Sequence, residues 1–269
     1  MRAEPILRCD HLVRFYDTPS GRVQAVRGVD IELPAGVTAA VVGPSGSGKS
    51  SLLRMLAGLD RPTAGTVLVG GVDLWQLTER ARARRRAHLL THVYQRPSDN
   101  LFAHLTARMQ LRRLVRGSGD GVVGEWLERL GLSHRADHTP DDMSGGERQR
   151  LAFARAAVAG HQLVIADEPT SQLDSVSARG VMDAVAALSS AGVTVLFATH
   201  DRRVLEHVDQ VIALRDGAVA TVTSAGSELA VIDRSGRLQL PPELQERFPD
   251  RRVRLVWDED DDHVRLEEP

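Results

Sequence analysis

The apolar residues of the first forty positions come in short runs. Residues 6–13, 26–33 and 37–42 are rich in Val, Ile and Leu and are punctuated by Gly21, Gly28 and Pro34-Ala35-Gly36, a pattern that predicts strands and turns. Residues 50–59, SSLLRMLAGL, shift to helical spacing and predict a helix ending at Gly58. Residues 66–69 read as a short strand before a Gly70-Gly71 turn, and residues 100–158 as helical with a break at 117–121. LVIA at 163–166 and VTVLFA at 193–198 are nearly unbroken apolar runs, which suits parallel strands buried on both faces. An Ala/Val-rich helix, 175–188, lies between them, and 210–223 predicts a hairpin turning at Asp216-Gly217. Strands alternating with helices predict an α/β fold with a largely parallel sheet.

Past residue 224 the pattern changes to strand, turn, strand, short helix, strand, turn, strand, the helix starting at Pro241-Pro242 and the acidic run 258–262 forming a hairpin tip or a solvated edge. The expected organisation is therefore a main domain over 1–224, with a helical part at about 96–158, and a small β-rich module over 225–269. The module is too short for a sizeable core of its own. It reads either as a dimerising or regulatory cap or as a flap folded on its own subunit.

Composition narrows the function classes. The chain has 269 residues, 42% hydrophobic and 26% charged, with a net charge of −2. These values are ordinary for a globular protein and give no global reason for nucleic-acid binding. Cys9 is the single cysteine, so no intrachain disulfide can form and a reducing compartment is expected. Residues 1–10 lack the apolar core of a signal peptide, and no apolar run approaches the roughly 18–20 residues that span a bilayer. Arg80, Arg82, Arg84, Arg85 and Arg86 read as a solvated helix face. Of 34 cationic Lys and Arg residues only one, Lys49, is lysine. An arginine bias on solvated faces accounts for most of that excess. A lysine that survives the bias is expected where a compact ammonium, and not a planar fork, is required.

Lys49 stands in GPSGSGKS, which matches G-x-x-x-x-G-K-[ST] in full, between the apolar strand AAVV and the helix SSLLRML. Gly43, Gly46 and Gly48 permit turns that a side chain blocks. With Pro44, Ser45, Ser47, Ser50 and Ser51 they form a loop whose N–H groups converge on phosphate oxygens at a helix N-terminus. Lys49 is expected at the β- and γ-phosphates and Ser50 at Mg²⁺. The partner strand LVIADE ends in Asp167, placed to bind the metal's water shell, and in Glu168, placed to polarise an attacking water. In isolation an Asp-Glu pair after a strand is as readily a helix cap.

The order of further motifs resembles the ATPase subunits of ABC transporters. SGGERQR, beginning at Ser144, Gly145 and Gly146, resembles the family's signature motif, and it lies between the phosphate loop and LVIADE. Gln95 in VYQ resembles the Q-loop glutamine, Ser171-Gln172-Leu173-Asp174 the D-loop, His200 in ATHD the switch histidine, and Tyr16 the aromatic that stacks on adenine. Phe15 is the rival for that stacking role, but alternation with Val13 points Phe15 into the core. The resemblance covers about residues 5–222. It implies a RecA-like phosphate-loop core with an antiparallel β subdomain and a helical subdomain. It also implies ATP and Mg²⁺ as ligands, with Gln95 sensing the metal. Glu168, His200, Gln95 and Lys49 are the implied catalytic groups. Two copies are implied to pair head to tail, with Ser144–Gly146 closing over the partner's ATP and Asp174 reaching across. Met143 replaces the usual leucine, and Glu147 stands where many members carry glutamine.

LDRPTAG, SGGERQR and IADEPT resemble the lipoprotein-releasing, macrolide-exporting and cell-division branch. Its members power separately encoded membrane permeases, which places the chain peripherally on the cytoplasmic face of the membrane. The stretch 96–114 would then supply a docking surface for the permease. Its Leu101, Phe102 and Leu105 serve equally well as ordinary packing. The C-terminal module faintly resembles the swapped hairpins of AbrB-type modules, carried by IDRSGRLQLP at 232–241. Residues 225–269, however, hold 12 acidic and 7 basic residues, a net of −5 that opposes phosphate-backbone binding. A soluble ATPase acting on nucleic acid or ribosomes, or a nucleotide-gated scaffold, is the competing expectation.

Overall fold

A computed structural model describes residues 4–19, 21–115, 119–224, 227–232, 238, 246–248, 254–258 and 263–267. The chain begins with strands β1 (Leu7–Thr18), β2 (Gly21–Leu33) and β3 (Thr38–Val42), then helix α1 (Lys49–Leu56), strands β4 (Ala64–Val69) and β5 (Val72–Asp73), helix α2 (Glu79–Leu89) and strand β6 (Leu90–Val93). Helices α3 (Ala107–Arg112), α4 (Asp120–Arg129) and α5 (Gly145–Val158) follow. Next come β7 (Leu163–Asp167), α6 (Ser175–Ser190), β8 (Thr194–Thr199), β9 (Gln210–Arg215), β10 (Ala218–Ser224) and β11 (Ser227–Ala230), and finally β12 (Arg254–Asp258) and β13 (His263–Glu267).

Strands β3, β7 and β8 are apolar on both faces because both faces are covered. They lie in a seven-stranded sheet ordered β11-β10-β9-β3-β8-β7-β6, parallel from β9 to β6 and antiparallel at β10 and β11. Alternate residues separate two cores. Ala40, Val164, Ala166, Val195 and Phe197 face a core shared with α5 and α6, which contains Phe153. Ala39, Val41, Leu163, Ile165, Leu196 and Ala198 face α1 and a second, antiparallel sheet ordered β2-β1-β4-β5. The α/β architecture, the antiparallel β subdomain and the hairpin at Asp216-Gly217 agree with the sequence reading. Asp216 and Gly217 both take positive φ, 49° and 81°, the geometry of a tight hairpin turn.

Three expectations change. The helical reading of 100–158 is too generous. Only α3, α4 and α5 are α-helical, α4 begins inside the expected break, and residues 130–144 separate it from α5. Gly131 at φ 64° ends one helix, and Pro140 starts a short 3-10 turn before the next. Phe15 is not in the core but partly exposed, with the Arg22 guanidinium 4.3 Å from its ring centroid. A register shift between Arg14 and Phe15 breaks the alternation on which that expectation rested. Finally, β11 pairs antiparallel with β10, so the main sheet continues past residue 224. Farther on, β12 and β13 form a hairpin in which Asp258 faces His263. The residues between them, and the short helix expected from Pro241, lie outside the described residues. Helix α2 buries none of its residues. Arg82 stacks on Trp75 at 4.4 Å and Arg85 donates to the Gly70 carbonyl.

Phe153 is fully buried between the sheet and the helical layer. Phe153→Ala is expected to cost about 3–5 kcal/mol, read from urea unfolding followed by circular dichroism, with the parallel sheet and the helical part destabilised together.

Candidate nucleotide site

The carboxyl ends of β3, β6, β7 and β8 lie at one edge of the sheet, the edge at which open α/β folds bind ligands. There a cavity of about 640 Å³ is lined by Ala25, Gly43, Pro44, Ser45, Gly46, Gly48, Lys49, Ser50, Ser51, Gln95, Glu168 and His200. These residues come from five separate segments of the chain. The volume lies in the range of small-molecule and cofactor sites.

The loop is shaped by two approaches that leave no room for a β-carbon. One added at Gly43 would overlap the Leu214 carbonyl oxygen, and one at Gly48 the Ala25 carbonyl oxygen. Both glycines also hold positive φ, 153° and 98°. Gly48 is the N-cap of α1, with no side-chain cap, so the first N–H groups of α1 remain for a ligand. Lys49 is 8% exposed, and its Nζ donates to the carbonyls of Gly43 at 2.8 Å and Pro44 at 3.0 Å. The loop thus curls around the ammonium and satisfies it from within. Ser47 is buried, and its Oγ has no partner.

Asp167 and Glu168 diverge sharply. Asp167 ends β7 and is largely buried, and burial pushes its carboxyl above the usual range against a lowering contribution from the Ser50 hydroxyl. Its Oδ1 is buried without a hydrogen-bond partner. A half-satisfied carboxylate beside a serine hydroxyl, facing the phosphate loop, fits a hard cation that keeps several water ligands. Ser50 and Asp167 are the residues that would hold Mg²⁺, with Gln95 on the cavity wall near them. Glu168 leaves the strand through a left-handed φ of 49°, a conformation that costs a side-chain-bearing residue about 1–2 kcal/mol. Its Oε2 pairs with Nδ1 of His200 at 2.7 Å. Gln95 Nε2 donates to the Ser171 hydroxyl at 3.4 Å, which ties the strand after β6 to the segment after β7.

Ser144, Gly145, Gly146 and Asp174 do not line this cavity; they form a second surface. Ser144 is the N-cap of α5, accepting from the Glu147 N–H while Glu147 accepts from the Ser144 N–H, a reciprocal capping box. A β-carbon at Gly146 would stand 2.9 Å from Ser177 Cβ, so the glycine lets α5 approach the start of α6. Asp174 caps α6, accepting from the N–H groups of Val176 and Ser177. Glu147, unremarkable in the sequence, also receives Arg135 Nε at 2.9 Å and pairs with His134 Nε2 at 3.2 Å. Burial opposes its charge, but the Ser144 N–H, Arg135 and His134 together bring its pKa down to about 2.

Tyr16 is not among the cavity residues. Its hydroxyl donates to Asp60 Oδ2 at 3.2 Å and Arg14 stacks 4.5 Å from its ring centroid. Leu105 is buried, Leu101 packs against the helical core, and Phe102 stays 48% exposed. The even choice between docking and packing thus divides by residue. Sequence reasoning missed Ala25, whose backbone shapes the loop from a distant strand, and the Arg54–Asp60 pair beneath Tyr16. The one available signal for Arg54 was its place four residues after Ser50, on the same face of α1.

A family model described as "ABC transporter" matches residues 26–171. The chain is 39% identical over 220 residues to the lipoprotein-releasing system ATP-binding protein LolD 2 of Caulobacter vibrioides, covering 80% of this chain and 96% of that one. It is 37% identical to the macrolide export ATP-binding/permease protein MacB 2 of Aeromonas hydrophila, but there it spans only 34% of the longer relative. Among solved structures, a dimeric post-hydrolysis state of the ATP-binding cassette MJ0796 bound to ADP and Pi superposes with a TM-score of 0.71 at 29% identity, covering 81% of this chain and 98% of that one.

The folded pKa of Glu147 lies below its ordinary 4.5. Its contribution to stability is therefore complete above about pH 4.5 and is lost as the pH falls toward 2. Glu147→Ala is expected to lose about 1–3 kcal/mol at pH 7. Urea titrations at several pH values should show the gap to wild type closing between pH 4.5 and 2.

Proposed function

Because this chain belongs to the ABC transporter family and binds and hydrolyses ATP with Mg²⁺, we propose that its phosphate-loop cavity and its Ser144–Gly146 surface are the two halves of one ATP site, each completed by a second copy. The observation that carries this reading is the separation of the two within one chain. Two helix starts, at α1 and α5, belong to separate surfaces of the same subunit, and only the first shares a cavity with Glu168 and His200. A head-to-tail pair places the second over the nucleotide held by the first.

The residues divide the work by position. The loop N–H groups and Lys49 bind the triphosphate, Lys49 exchanging its two loop carbonyls for phosphate oxygens. Ser50 and Asp167 would hold Mg²⁺, with Gln95 completing the set, and the ion would supply charge neutralisation of the phosphates. Glu168 accepts a proton from a water in line with the γ-phosphate. His200 orients the Glu168 carboxylate through its Nδ1 and is placed to hydrogen-bond the γ-phosphate. Tyr16 offers its ring to the adenine. Asp174, at the start of α6, reaches the opposite subunit.

We further assign the chain to the branch that works on separately encoded permeases, as a peripheral subunit on the cytoplasmic face of the membrane. No helix among the described residues is long and apolar enough to cross a bilayer; the relative named as the ATP-binding protein of a lipoprotein-releasing system supports a membrane partner. The exposed Phe102 and Met109 of the helical part, 48% and 53% exposed, are its docking points. Residues 1–224 form the ATPase domain and 225–269 a module that dimerises or regulates it, anchored at its start by the β10–β11 pairing.

Glu168→Gln keeps the size and removes the proton acceptor. Steady-state ATPase is expected to fall by about 100-fold or more, while size-exclusion chromatography with MgATP shows a stable dimer. Undiminished turnover removes Glu168 from its role, and an ATP-loaded monomer removes the two-copy site.

A further inference from the structure

The phosphate loop grips one end of a nucleotide, and the stacking reading of Tyr16 places the other end against a ring on a different sheet. Three side chains connect the two ends. Arg54 lies on α1 four residues after Ser50, so it shares the helix face that carries the Ser50 hydroxyl at the phosphate loop. Its Nε and second guanidinium nitrogen donate to both oxygens of Asp60, at 2.9 and 3.1 Å, a forked pairing that fixes the carboxylate plane. Asp60 Oδ2 accepts from the Tyr16 hydroxyl at 3.2 Å. Arg54 also holds the Asp60 carboxyl below the usual range, so it stays charged at neutral pH.

The ring is constrained from its side as well. Arg14 stacks over Tyr16 at 4.5 Å and is itself tied down, donating to the Arg61 carbonyl at 2.8 Å. Phe15 N–H donates to Thr63 Oγ1 at 3.1 Å, so the strand carrying Tyr16 is pinned on both sides to the segment after α1. Tyr16 pairs across the hairpin with Val23, two residues from the cavity-lining Ala25.

We propose that Asp60, clamped by Arg54, is a positioning residue that sets the orientation of Tyr16 and its distance from the phosphate loop, with Arg14 covering one face of the ring so that a flat purine base stacks on the other. This rests on the reading of Tyr16 as the base-stacking residue. The clamp makes α1 the common ruler for both ends of the ligand. Lys49 and Ser50 start the helix at the phosphates, and Arg54 returns through Asp60 to the base. The site is thereby gauged for a nucleoside triphosphate, and the phosphate subsite alone is indifferent to the clamp. The aromatic hydroxyl does not touch the base. It matters because a ring held at one end presents its face without the loss of rotamer freedom that a loose ring pays.

The test uses the full-length chain and five proteins: wild type, Tyr16→Phe, Tyr16→Ala, Asp60→Ala and the Tyr16→Phe/Asp60→Ala double variant. KM and kcat are measured for MgATP, with inorganic tripolyphosphate as a competitor that lacks a base. Tyr16→Phe and Asp60→Ala are each expected to raise KM about three- to tenfold with kcat largely kept. The double variant should be no worse than the weaker single, because both remove one linked interaction. The tripolyphosphate inhibition constant should not move. The positioning role is overturned if Asp60→Ala leaves KM for ATP unchanged, or if it weakens tripolyphosphate as much as ATP, since the residue then acts on the phosphate subsite or on the fold. Tyr16→Ala separates the underlying reading. A wild-type KM there removes the stacking role and the clamp with it. A raised KM in Tyr16→Ala beside an unchanged Asp60→Ala keeps the stacking and discards the clamp.

Discussion

Two carbonyl groups from opposite sides press on the phosphate loop so closely that no β-carbon fits. Leu214 on β9 meets Gly43, and Ala25 on β2 meets Gly48. These strands belong to different sheets, so the loop is wedged between the two layers of the molecule rather than hung from one of them. Its path fixes where α1 begins, and that start fixes the rest. Lys49 enters the core side of the helix with its ammonium returned onto the loop, Ser50 is set beside Asp167, and Arg54 comes round one turn later to Asp60. Backbone contacts of this kind depend on tertiary assembly. A site built on them forms only when both sheets are in place.

The second consequence concerns the resting charges. The cavity is lined by Lys49, Glu168 and His200, with Asp167 adjacent to Glu168 in sequence, and each has a defined partner or a defined deficit. Lys49 is satisfied by carbonyls, Glu168 by His200, and Asp167 by Ser50 on one side while its Oδ1 stays unpartnered. A strained φ at Glu168 separates the two carboxylates, leaving Asp167 beside Ser50 and turning Glu168 to His200.

Much of this was legible in the sequence because period and motif are local properties. The strands β3, β7 and β8, the helices α1 and α6 and the turn at Asp216-Gly217 follow from apolar spacing and turn residues. GPSGSGKS, LVIADE and ATHD mark the three strand ends that converge on the cavity. What the sequence hid depends on register or on distant partners. One register shift after Arg14 removes Phe15 from the core. Glu147 looks like a simple exchange for glutamine, yet it joins a capping box to Arg135 and His134, more than ten positions earlier. Asp60 sits in a stretch rich in turn residues, and nothing in its spacing signals a bond to a tyrosine 44 positions earlier. The even choice at Leu101, Phe102 and Leu105 needed burial values to divide it.

Lys49, the one lysine among 34 cationic Lys and Arg residues, sits in a cradle that accepts a compact ammonium and nothing wider. Lys49 Nζ lies within 3.0 Å of two loop carbonyls in a space that leaves the side chain 8% exposed. An arginine keeps the charge but presents a planar fork that cannot turn inside the loop. Steady-state MgATP hydrolysis by Lys49→Arg, measured beside its thermal unfolding, tests this directly. Turnover is expected to fall by about 100-fold or more with the fold retained. A near-wild-type rate would contradict it.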